Sequence, residues 1–375
     1  MRARIDYILI LFVLLAALAL FLPVGEAAGT ALQWWNTPAP LALALLSMAT
    51  ALYQITSRSE TTYAALLLTF GCIAGAYAPL LLVRIEETGG YSAVGLWLYL
   101  AVLGLVVWRA MALLSRAANH NHILALAVPA LFGIWLLYLW QLVTVGFGVP
   151  SVLLPSPEQI GAAIANNAST LYADFYQTVV KSVFSGFLFG CSAGFLVAVL
   201  VDRIPFMQRG LLPLGSLVSA IPIVGIAPIM VMWFGFDWQS KAAVIVVMTF
   251  FPMLINTLAG LQATGRIETD LMRSYAAGYW QTLFFVRLPN ALPFIFNALK
   301  INSTLAMIGA IVAEFFGTPI VGMGFRISTE VGRMNVDIVW ATIAVAAVVG
   351  SLFYGILALM ERRLTFWHSS YRQAK

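Results

Sequence analysis

DLMRSYAAGYWQTLFFVRLP, residues 270–289, is an amphipathic stretch between two long apolar segments. In and just before it, polar and charged side chains interrupt an otherwise apolar sequence: Thr264, Arg266, Glu268, Asp270, Arg273, Gln281 and Arg287. A connector of this kind between apolar segments needs a physical reason. Docking of a soluble partner is the interpretation that its mixture of aromatic and charged side chains favours.

The composition is that of a membrane protein. Of 375 residues, 62% are hydrophobic and 9% are charged, and the mean hydropathy is +0.93. An ordinary soluble domain has about 25% charged residues, so this chain has too few to cover a water-facing surface. Its apolar runs continue for the roughly 20 residues that cross a bilayer, whereas barrel strands alternate over about ten. The sequence therefore predicts an all-α polytopic membrane protein.

Ten apolar segments predict about ten transmembrane helices, four in residues 1–120 and six in residues 121–375. They cover residues 6–24, 39–56, 61–83, 93–115, 122–146, 176–201, 210–235, 241–263, 291–315 and 337–361. Lys and Arg near span ends favour the cytoplasm, and their distribution places both termini and the loop at about 264–290 there. The first span also resembles a signal peptide, with small residues at 25–28, so its cleavage stays open.

Bond-making chemistry is not indicated. His120, His122 and His368 lie near predicted membrane boundaries without metal-ligand spacing, and Cys72 and Cys191 lie inside apolar runs, which predicts free, buried thiols. The chain contains no G-x-x-x-x-G-K-[ST] phosphate loop. We therefore expect no catalytic residue, no metal site and no cofactor in this chain. The basic residues are scattered among the loops, which does not indicate nucleic-acid binding.

A ridge of small residues marks one predicted helix. Ser182, Gly186, Gly190 and Gly194 recur every four residues, a spacing that lets two helix backbones approach closely in a membrane. Packing within the bundle is the preferred interpretation, and contact with another subunit is the alternative.

Polar residues within the later spans are candidates for a translocation path: Pro222, Asn256, Lys300, Asn302, Ser303 and Thr304. Pro222 and Pro228 free backbone carbonyls, which suits either a pore-lining helix or a kinked packing helix. Lys300 lies about 12 Å from the cytoplasmic end of its span, so it either faces the interior or extends to the interface. Asn256 is also ambiguous, because amides bond helix to helix.

Residues 270–289 resemble the cytoplasmic loop of binding-protein-dependent ABC importer permeases, which follows E-A-A, three residues, G, nine residues, I-x-L-P. The motif positions are filled here, with the spacing kept, by Asp270, Leu271, Met272, Ala276, Val286, Leu288 and Pro289. The departures are Asp for Glu, bulky residues for both Ala, and Ala for Gly. Gly278, two residues further on, is a second candidate for the turn.

The resemblance covers about residues 121–368. Within these permeases, the sequence is similar to the nitrate/sulfonate/taurine-type branch. Besides the loop and the glycine ridge, it is carried by LLPSPEQI (153–160), AIPIVGIAPIMVMWFG (220–235), FFPMLINTLAGL (250–261), RLPNALPFIFNALKI (287–301) and IGAIVAEFFG (308–317). It implies a six-helix type I ABC importer core in residues 121–375. Residues 1–120 form an additional N-terminal extension of four spans, and nothing in the sequence explains their role.

The resemblance also implies partners and a mechanism. ATP and Mg²⁺ would be bound by a separate ATPase subunit. In the bacterial cytoplasmic (inner) membrane, the chain would pair with a second permease copy as a homodimer. A periplasmic or extracellular substrate-binding protein would deliver the solute. Coupling to the ATPase would fall on Asp270, Arg273, Tyr275, Ala276, Gly278, Trp280, Leu288 and Pro289.

The implied solute is small and polar or anionic, of the nitrate/sulfonate/taurine or the pyrimidine/riboflavin-precursor type. Two other classes of protein remain alternatives, an ion-gradient-driven secondary transporter and a non-transporting membrane scaffold. For the loop itself, the alternative is an amphipathic segment lying on the inner leaflet.

Overall fold

The computed structural model describes residues 6–27, 30–57, 61–85, 94–117, 122–204, 206–207, 210, 221–317 and 320–367. Its helices and strands are, in chain order, α1 (Tyr7–Phe21), β1 (Gly25–Ala27), β2 (Thr30–Leu32), α2 (Pro38–Ser57), α3 (Thr62–Ile85), α4 (Val94–Ala117), α5 (His122–Gly146), α6 (Pro157–Asn166), α7 (Ala168–Phe175), α8 (Phe184–Arg203), α9 (Ile223–Phe234), α10 (Trp238–Gln262), α11 (Arg266–Ser274), α12 (Tyr279–Thr282), α13 (Leu288–Glu314), α14 (Met323–Gly332) and α15 (Val336–Leu364). Two π-helical segments, Tyr176–Val183 and Leu283–Arg287, join α7 to α8 and α12 to α13.

Long apolar helices confirm the all-α polytopic fold. Within the described residues, eight are long and apolar enough to cross a bilayer: Pro38–Ser57, Thr62–Leu82, Val94–Ala117, Ala125–Gly146, Ala168–Arg203, Trp238–Gln262, Tyr279–Glu314 and Val336–Leu364. The predicted first and seventh spans contain shorter apolar helices, α1 and α9, and residues 211–220 of the seventh lie outside the described residues. β1 and β2 form a small antiparallel hairpin that pairs Gly25 with Leu32.

The chain divides into two compact units, Met1–Gln159 and Ile160–Lys375. This division places α5 in the first unit, whereas the sequence grouped it with the six-span core. The assignment of residues 1–120 and 121–375 to an extension and a transport core therefore stays a prediction.

In the first unit, α1 packs on α4, α2 on α3, and α4 on α5. Trp34 and Tyr99 are buried with their ring centroids 5.0 Å apart. The Tyr99 hydroxyl donates to the Gly75 carbonyl (3.3 Å) and lies 3.2 Å from Ser47 Oγ. Because a buried hydroxyl without a partner is costly, these bonds fix α2, α3 and α4 relative to one another. Cys72 is a buried free thiol, as predicted.

In the second unit, α10 is the central helix, with α8, α9 and α13 packed around it. The glycine ridge of α8 lies against α10. A Cβ added at Gly186 would lie 2.8 Å from the Ala242 carbonyl, at Gly190 2.0 Å from Thr249 Oγ1, and at Gly194 2.5 Å from the Phe250 carbonyl. The ridge therefore packs two helices of one chain at a separation that only glycine permits.

The start of the ninth span differs from its predicted position. The sequence placed it at residue 291, but the helical backbone begins at Tyr279 and continues to Glu314. Gly278 N–H donates to Gln281 Oε1 (2.8 Å), and Thr282 Oγ1 donates to the Gly278 carbonyl (3.1 Å). The Gln281 bond satisfies a backbone N–H that is otherwise free at a helix N-terminus, so the helix begins here and the second half of the predicted loop is helical.

Replacing Gly190 with Ala should destabilise the second unit by about 1–3 kcal/mol, because the added methyl group meets α10. Gly355→Ala on α15 is the matched control, since its Cβ would meet nothing within 4 Å. Thermal unfolding of the purified chain in detergent measures both variants. Equal melting temperatures for the two would contradict the close packing of α8 on α10.

Candidate coupling site and translocation path

Helix α11 presents an apolar ridge that no described part of the chain covers. Ile267, Leu271 and Tyr275 follow at intervals of four, which places them on one face, and they are 84%, 55% and 76% exposed. Two side chains of α11 are half-buried: Thr269 lies opposite the ridge, and Met272 lies beside it, three residues before Tyr275. An exposed apolar surface of this kind, rimmed by polar groups, is typical of an interaction site.

Asp270 borders this ridge, and Arg273 lies on the face of Thr269, four residues earlier. Arg273 Nη1 lies 3.3 Å from Asp270 Oδ1, and the two side chains are 81% (Arg273) and 67% (Asp270) exposed. An ion pair this exposed contributes little to stability. Both charges are therefore available to a partner.

The turn after α11 depends on a left-handed alanine. Ala276 has φ 54°, its N–H donates to the Arg273 carbonyl (2.9 Å), and the Ala277 N–H donates to the Met272 carbonyl (3.0 Å). These two bonds form a Schellman motif, which glycine usually completes. Gly278 has φ −71° and does not supply the left-handed residue. The left-handed position is thus Ala276, which the sequence aligned with the glycine of the ABC permease loop.

Aromatic side chains gather at the start of α12. The rings of Trp280 and Phe284 stack with centroids 6.0 Å apart. The Arg203 guanidinium lies 5.5 Å from the Tyr279 ring centroid and 5.9 Å from that of Trp280. Trp280 is 51% exposed and Phe284 58%. Both rings are therefore accessible to a partner.

Leu288 and Pro289 begin α13 directly after the second π-helical segment. Pro289 has no N–H, and in a regular α-helix its ring would clash with the carbonyl four residues earlier, that of Phe285. Phe285 is part of the π-helical segment Leu283–Arg287. A local change of helix type is one way in which a helix accommodates proline.

A buried ion pair ties the base of the coupling segment to two other helices. Arg287 donates to both carboxylate oxygens of Asp202, at 2.7 and 2.8 Å, and to the Leu261 carbonyl at 3.1 and 3.0 Å. The Tyr279 hydroxyl donates to Asp202 as well (3.0 Å). Bidentate Arg–carboxylate pairs are strong and directional. The Asp202–Arg287 clamp therefore links the ends of α8 and α10 to the start of α13.

The sequence missed the Asp202–Arg287 clamp as a site. The available signal was a charged residue at the end of each of two spans, since Asp202 follows an apolar run and Arg287 precedes another. Nothing in the sequence indicated that these two span ends are neighbours.

Two path candidates lie between helices. Asn302 is fully buried, and its Nδ2 donates to the Thr249 carbonyl (2.8 Å) and to Cys191 Sγ (3.2 Å). Ser303 is also buried and donates to the Lys300 carbonyl (2.7 Å). Asn302 joins α13 to α8 and α10, while the Ser303 bond stays within α13. Their place in the path stays a prediction.

Lys300 has a counterion. Its ammonium lies 2.6 Å from Glu361 Oε2, with the two side chains 17% and 9% exposed. The pair joins α13 to α15. A charge within the membrane is costly unless it is paired, so Glu361 accounts for a lysine at this depth.

Three other path candidates keep accessible side chains. Asn256 is half-buried on α10, and its Oδ1 accepts from Asn297 Nδ2 at 3.5 Å. Thr304 is exposed on α13, and Pro222 is exposed directly before α9. The structure therefore does not bring all six candidates to one surface.

A second cluster of polar groups, which the sequence did not select, holds α14. Asp174 accepts from the Gly322 N–H (2.8 Å) and from Arg326 Nε (2.8 Å). Glu314 accepts from Thr178 Oγ1 (2.7 Å) and the Gly324 N–H (2.6 Å). Both carboxylates thus bind the N-terminus of α14, where backbone N–H groups are free. The hydrogen bond from Arg326 to Asp174 also holds the Arg326 pKa above its ordinary value.

Known proteins with similar sequences define the class. Residues 186–366 match the family described as "Binding-protein-dependent transport system inner membrane component". The formylaminopyrimidine transport permease protein ThiX of Halalkalibacterium halodurans is 30% identical over 239 residues, which cover 64% of this chain and 95% of that protein. The riboflavin transport system permease protein RibX of Chloroflexus aurantiacus is 29% identical, with 66% and 91% covered.

The taurine transport system permease protein TauC of Escherichia coli is 29% identical over 243 residues, 62% of this chain and 86% of that protein. The chain belongs to the family of binding-protein-dependent transport system inner membrane components. The resemblance to ABC permeases is confirmed, and the chain is a membrane transport component.

Replacing Ala276 with Gly should stabilise the turn by about 1 kcal/mol, because glycine adopts positive φ without a steric cost. Ala276→Val should destabilise it. Hydrogen exchange of residues 272–278 measures the change, with Gly278→Ala as control, since its Cβ would meet only Gln281 Oε1 at 3.8 Å. Equal protection in the Gly and Val variants would contradict the left-handed assignment.

Replacing Arg287 with Met should lower stability by about 3–5 kcal/mol, because it leaves the Asp202 carboxylate buried without its counterion. The double variant Asp202→Leu, Arg287→Met should recover part of that loss. Thermal unfolding in detergent of both single variants and the double variant gives the coupling energy. Additive losses would show that the two side chains do not act as a pair.

Proposed function

We propose that this chain is the transmembrane permease subunit of an ATP-driven importer and that α11 and α12 dock a separate ATPase subunit. The observation that carries the proposal is the exposed ridge of Ile267, Leu271 and Tyr275 in a member of this permease family. Apolar and aromatic side chains supply the buried area of an interface, and charges at the rim supply register. ATP and Mg²⁺ are bound by the partner, and this chain carries out no bond chemistry.

The connection from the ridge to the membrane helices supports coupling. α11 follows α10 directly and precedes α12, whose helical backbone continues into α13. The Asp202–Arg287 clamp adds α8 to that assembly. A displacement of α11 by the ATPase is therefore transmitted to α8, α10 and α13 together.

The proposed assembly has two copies of this permease, two ATPase subunits and an external substrate-binding protein. The chain lies in a bacterial cytoplasmic membrane with both termini and α11 on the cytoplasmic side. The excess of Lys and Arg in the connections assigned to that side supports this orientation.

The solute is proposed to be small and polar or anionic. Similar proteins carry names for formylaminopyrimidine, riboflavin and taurine transport, which supports the nitrate/sulfonate/taurine or pyrimidine/riboflavin-precursor type. The accessible side chains of Pro222, Asn256 and Thr304 are the proposed contacts along the path. Lys300 and Asn302 act there through the bonds that they make to neighbouring helices, and Ser303 is proposed to act from its buried position on α13.

Replacing Leu271 with Asp should prevent the ATPase from co-purifying with the tagged permease, because a carboxylate then interrupts the apolar ridge. Thr269→Ala is the control, since Thr269 lies on the opposite side of α11 and should leave the complex intact. Membrane insertion of both variants is checked by carbonate extraction and size-exclusion chromatography.

Full retention of the ATPase by Leu271→Asp would contradict the docking site. Uptake into vesicles separates the remaining classes of protein. Uptake that survives ATP depletion but collapses with the ion gradient would identify a secondary transporter. Absence of any uptake, together with absence of a bound ATPase, would identify a membrane scaffold.

A further inference from the structure

The second unit contains a cavity of about 500 Å³ that the coupling site and the path candidates do not include. Its walls come from α7, the first π-helical segment, the residues just before α10, and Val321 just before α14. Five side chains give it chemical character: Tyr172, Tyr176, Gln177, Lys181 and Asp237. Tyr172 and Tyr176 are 68% and 46% exposed, so the cavity opens to the surface.

The π-helical segment determines what faces this cavity. Tyr176 and Lys181 are five residues apart, and π-helical hydrogen bonding brings residues at that spacing to the same face. The Lys181 ammonium accordingly lies 5.6 Å from the Tyr176 ring centroid. π-Helical turns inside α-helices occur frequently at functional sites. The π-helical segment therefore has a visible effect, which is to place the Lys181 ammonium beside the Tyr176 ring.

Lys181 is the cation of this cavity, and Asp237 in the same wall lies within electrostatic range of it without forming an ion pair. In the part of the chain that the structure describes, its ammonium contacts the Tyr176 ring but no carboxylate or hydrogen-bond acceptor. One oxygen of the nearby carboxylate, Asp237 Oδ1, accepts hydrogen bonds from Gln177 Nε2 (2.6 Å) and the Trp238 N–H (2.8 Å). An ammonium with unused donors in a cavity is a potential anion ligand.

Asp237 stays ionised in this setting. Burial raises the pKa of Asp237, but the hydrogen bonds from Gln177 and Trp238 and the charges of Lys181 and Lys241 outweigh burial and hold the pKa below its ordinary value. A fixed negative charge in the wall disfavours a second one nearby. Lys181 and Asp237 contribute opposite charges to the cavity, so a monoanion on the Lys181 ammonium is repelled less by Asp237 than a dianion is.

The depth of Lys181 fits access from the external side. At 1.5 Å per residue, Lys181 lies roughly 33 Å along the helix from Arg203, which is about the thickness of the hydrocarbon core. Arg203 lies at the cytoplasmic end of this helix in the proposed orientation. Lys181 is then at the outer boundary, where a solute arrives before it crosses the membrane.

We propose that this outer cavity binds a small organic monoanion, a sulfonate or carboxylate, with its oxyanion on the Lys181 ammonium and its carbon part against the rings of Tyr172 and Tyr176. The inference rests on the proposed import function and names the class of its solute. An anionic lipid headgroup offers the same oxyanion, and the two sources are separated below.

Binding is measured on the full chain in nanodiscs of phosphatidylcholine, with no ATPase and no ATP. The probes are benzenesulfonate, ethanesulfonate and sulfate, titrated by calorimetry and by thermal shift. Benzenesulfonate should bind more tightly than ethanesulfonate because its ring contacts the tyrosines, and the dianion sulfate should bind most weakly.

Lys181→Met should weaken benzenesulfonate binding at least tenfold, and Lys181→Arg should retain it. Tyr176→Leu should reduce the preference for benzenesulfonate over ethanesulfonate. Arg333→Met is the matched control, because Arg333 is a cation on the same predicted side of the membrane and 63% exposed. It should bind as the wild type does. Unchanged melting of Lys181→Met without ligand shows that the variant is folded.

Absence of anion binding to the wild type, or equal binding to Lys181→Met, would overturn the proposal. The lipid source is tested in nanodiscs that contain phosphatidylglycerol. Retention of that lipid by wild type but not by Lys181→Met in native mass spectrometry, undisplaced by benzenesulfonate, would overturn the assignment to a solute. Leu271→Asp should bind the probes normally, so a failure of ATPase docking and a failure of this site give different results.

Discussion

Close packing of α8 against α10 is the constraint on which the second unit depends. Lipid surrounds the outer helix faces, so burial of apolar surface gives little drive for helices to associate there. Contact between backbones replaces that drive, and Gly186, Gly190 and Gly194 allow it. α9 and α13 also pack on α10. The separation of α8 and α10 therefore determines where α9 and α13 lie.

Ion pairs between helices complement this packing towards the helix ends. Asp202–Arg287 and Lys300–Glu361 lie in the cytoplasmic half in the proposed orientation, and Asp174–Arg326 lies in the external half. In each pair one partner is almost fully buried. Ionised groups at such positions are costly when unpaired, so each pair specifies which helix ends meet. Small residues thus set the distance between helices in the middle, and charges set the register at both ends.

Two kinds of feature could be predicted from the sequence: helices that the bilayer requires, and motifs that are recognised by the spacing of their residues. Long apolar runs had to be helices, because a bilayer leaves backbone groups no other partner. The period of four in the glycine ridge indicated close packing, and the spacing of residues 270–289 identified the loop. None of these inferences required knowledge of which helices are neighbours.

The other features depend on which helices are neighbours, or on local hydrogen bonds that cannot be derived from the residue types. Lys300 and Glu361 are 61 positions apart, and no spacing rule connects them. The start of helix at Tyr279 was missed because Gly278 and Pro289 both favour a loop by residue type. The π-helical segments have no sequence pattern of their own, so the face to which Lys181 points could not be derived.

The alanine in the left-handed turn bears on how relatives of this chain are recognised. A search pattern written with glycine at that position specifies a residue, whereas the turn requires a dihedral angle, φ 54° at Ala276. Alanine meets that requirement at a cost of about 1–2 kcal/mol, which two backbone hydrogen bonds offset in part. Members of such a family are better recognised by the position at which the backbone reverses than by the side chain found there.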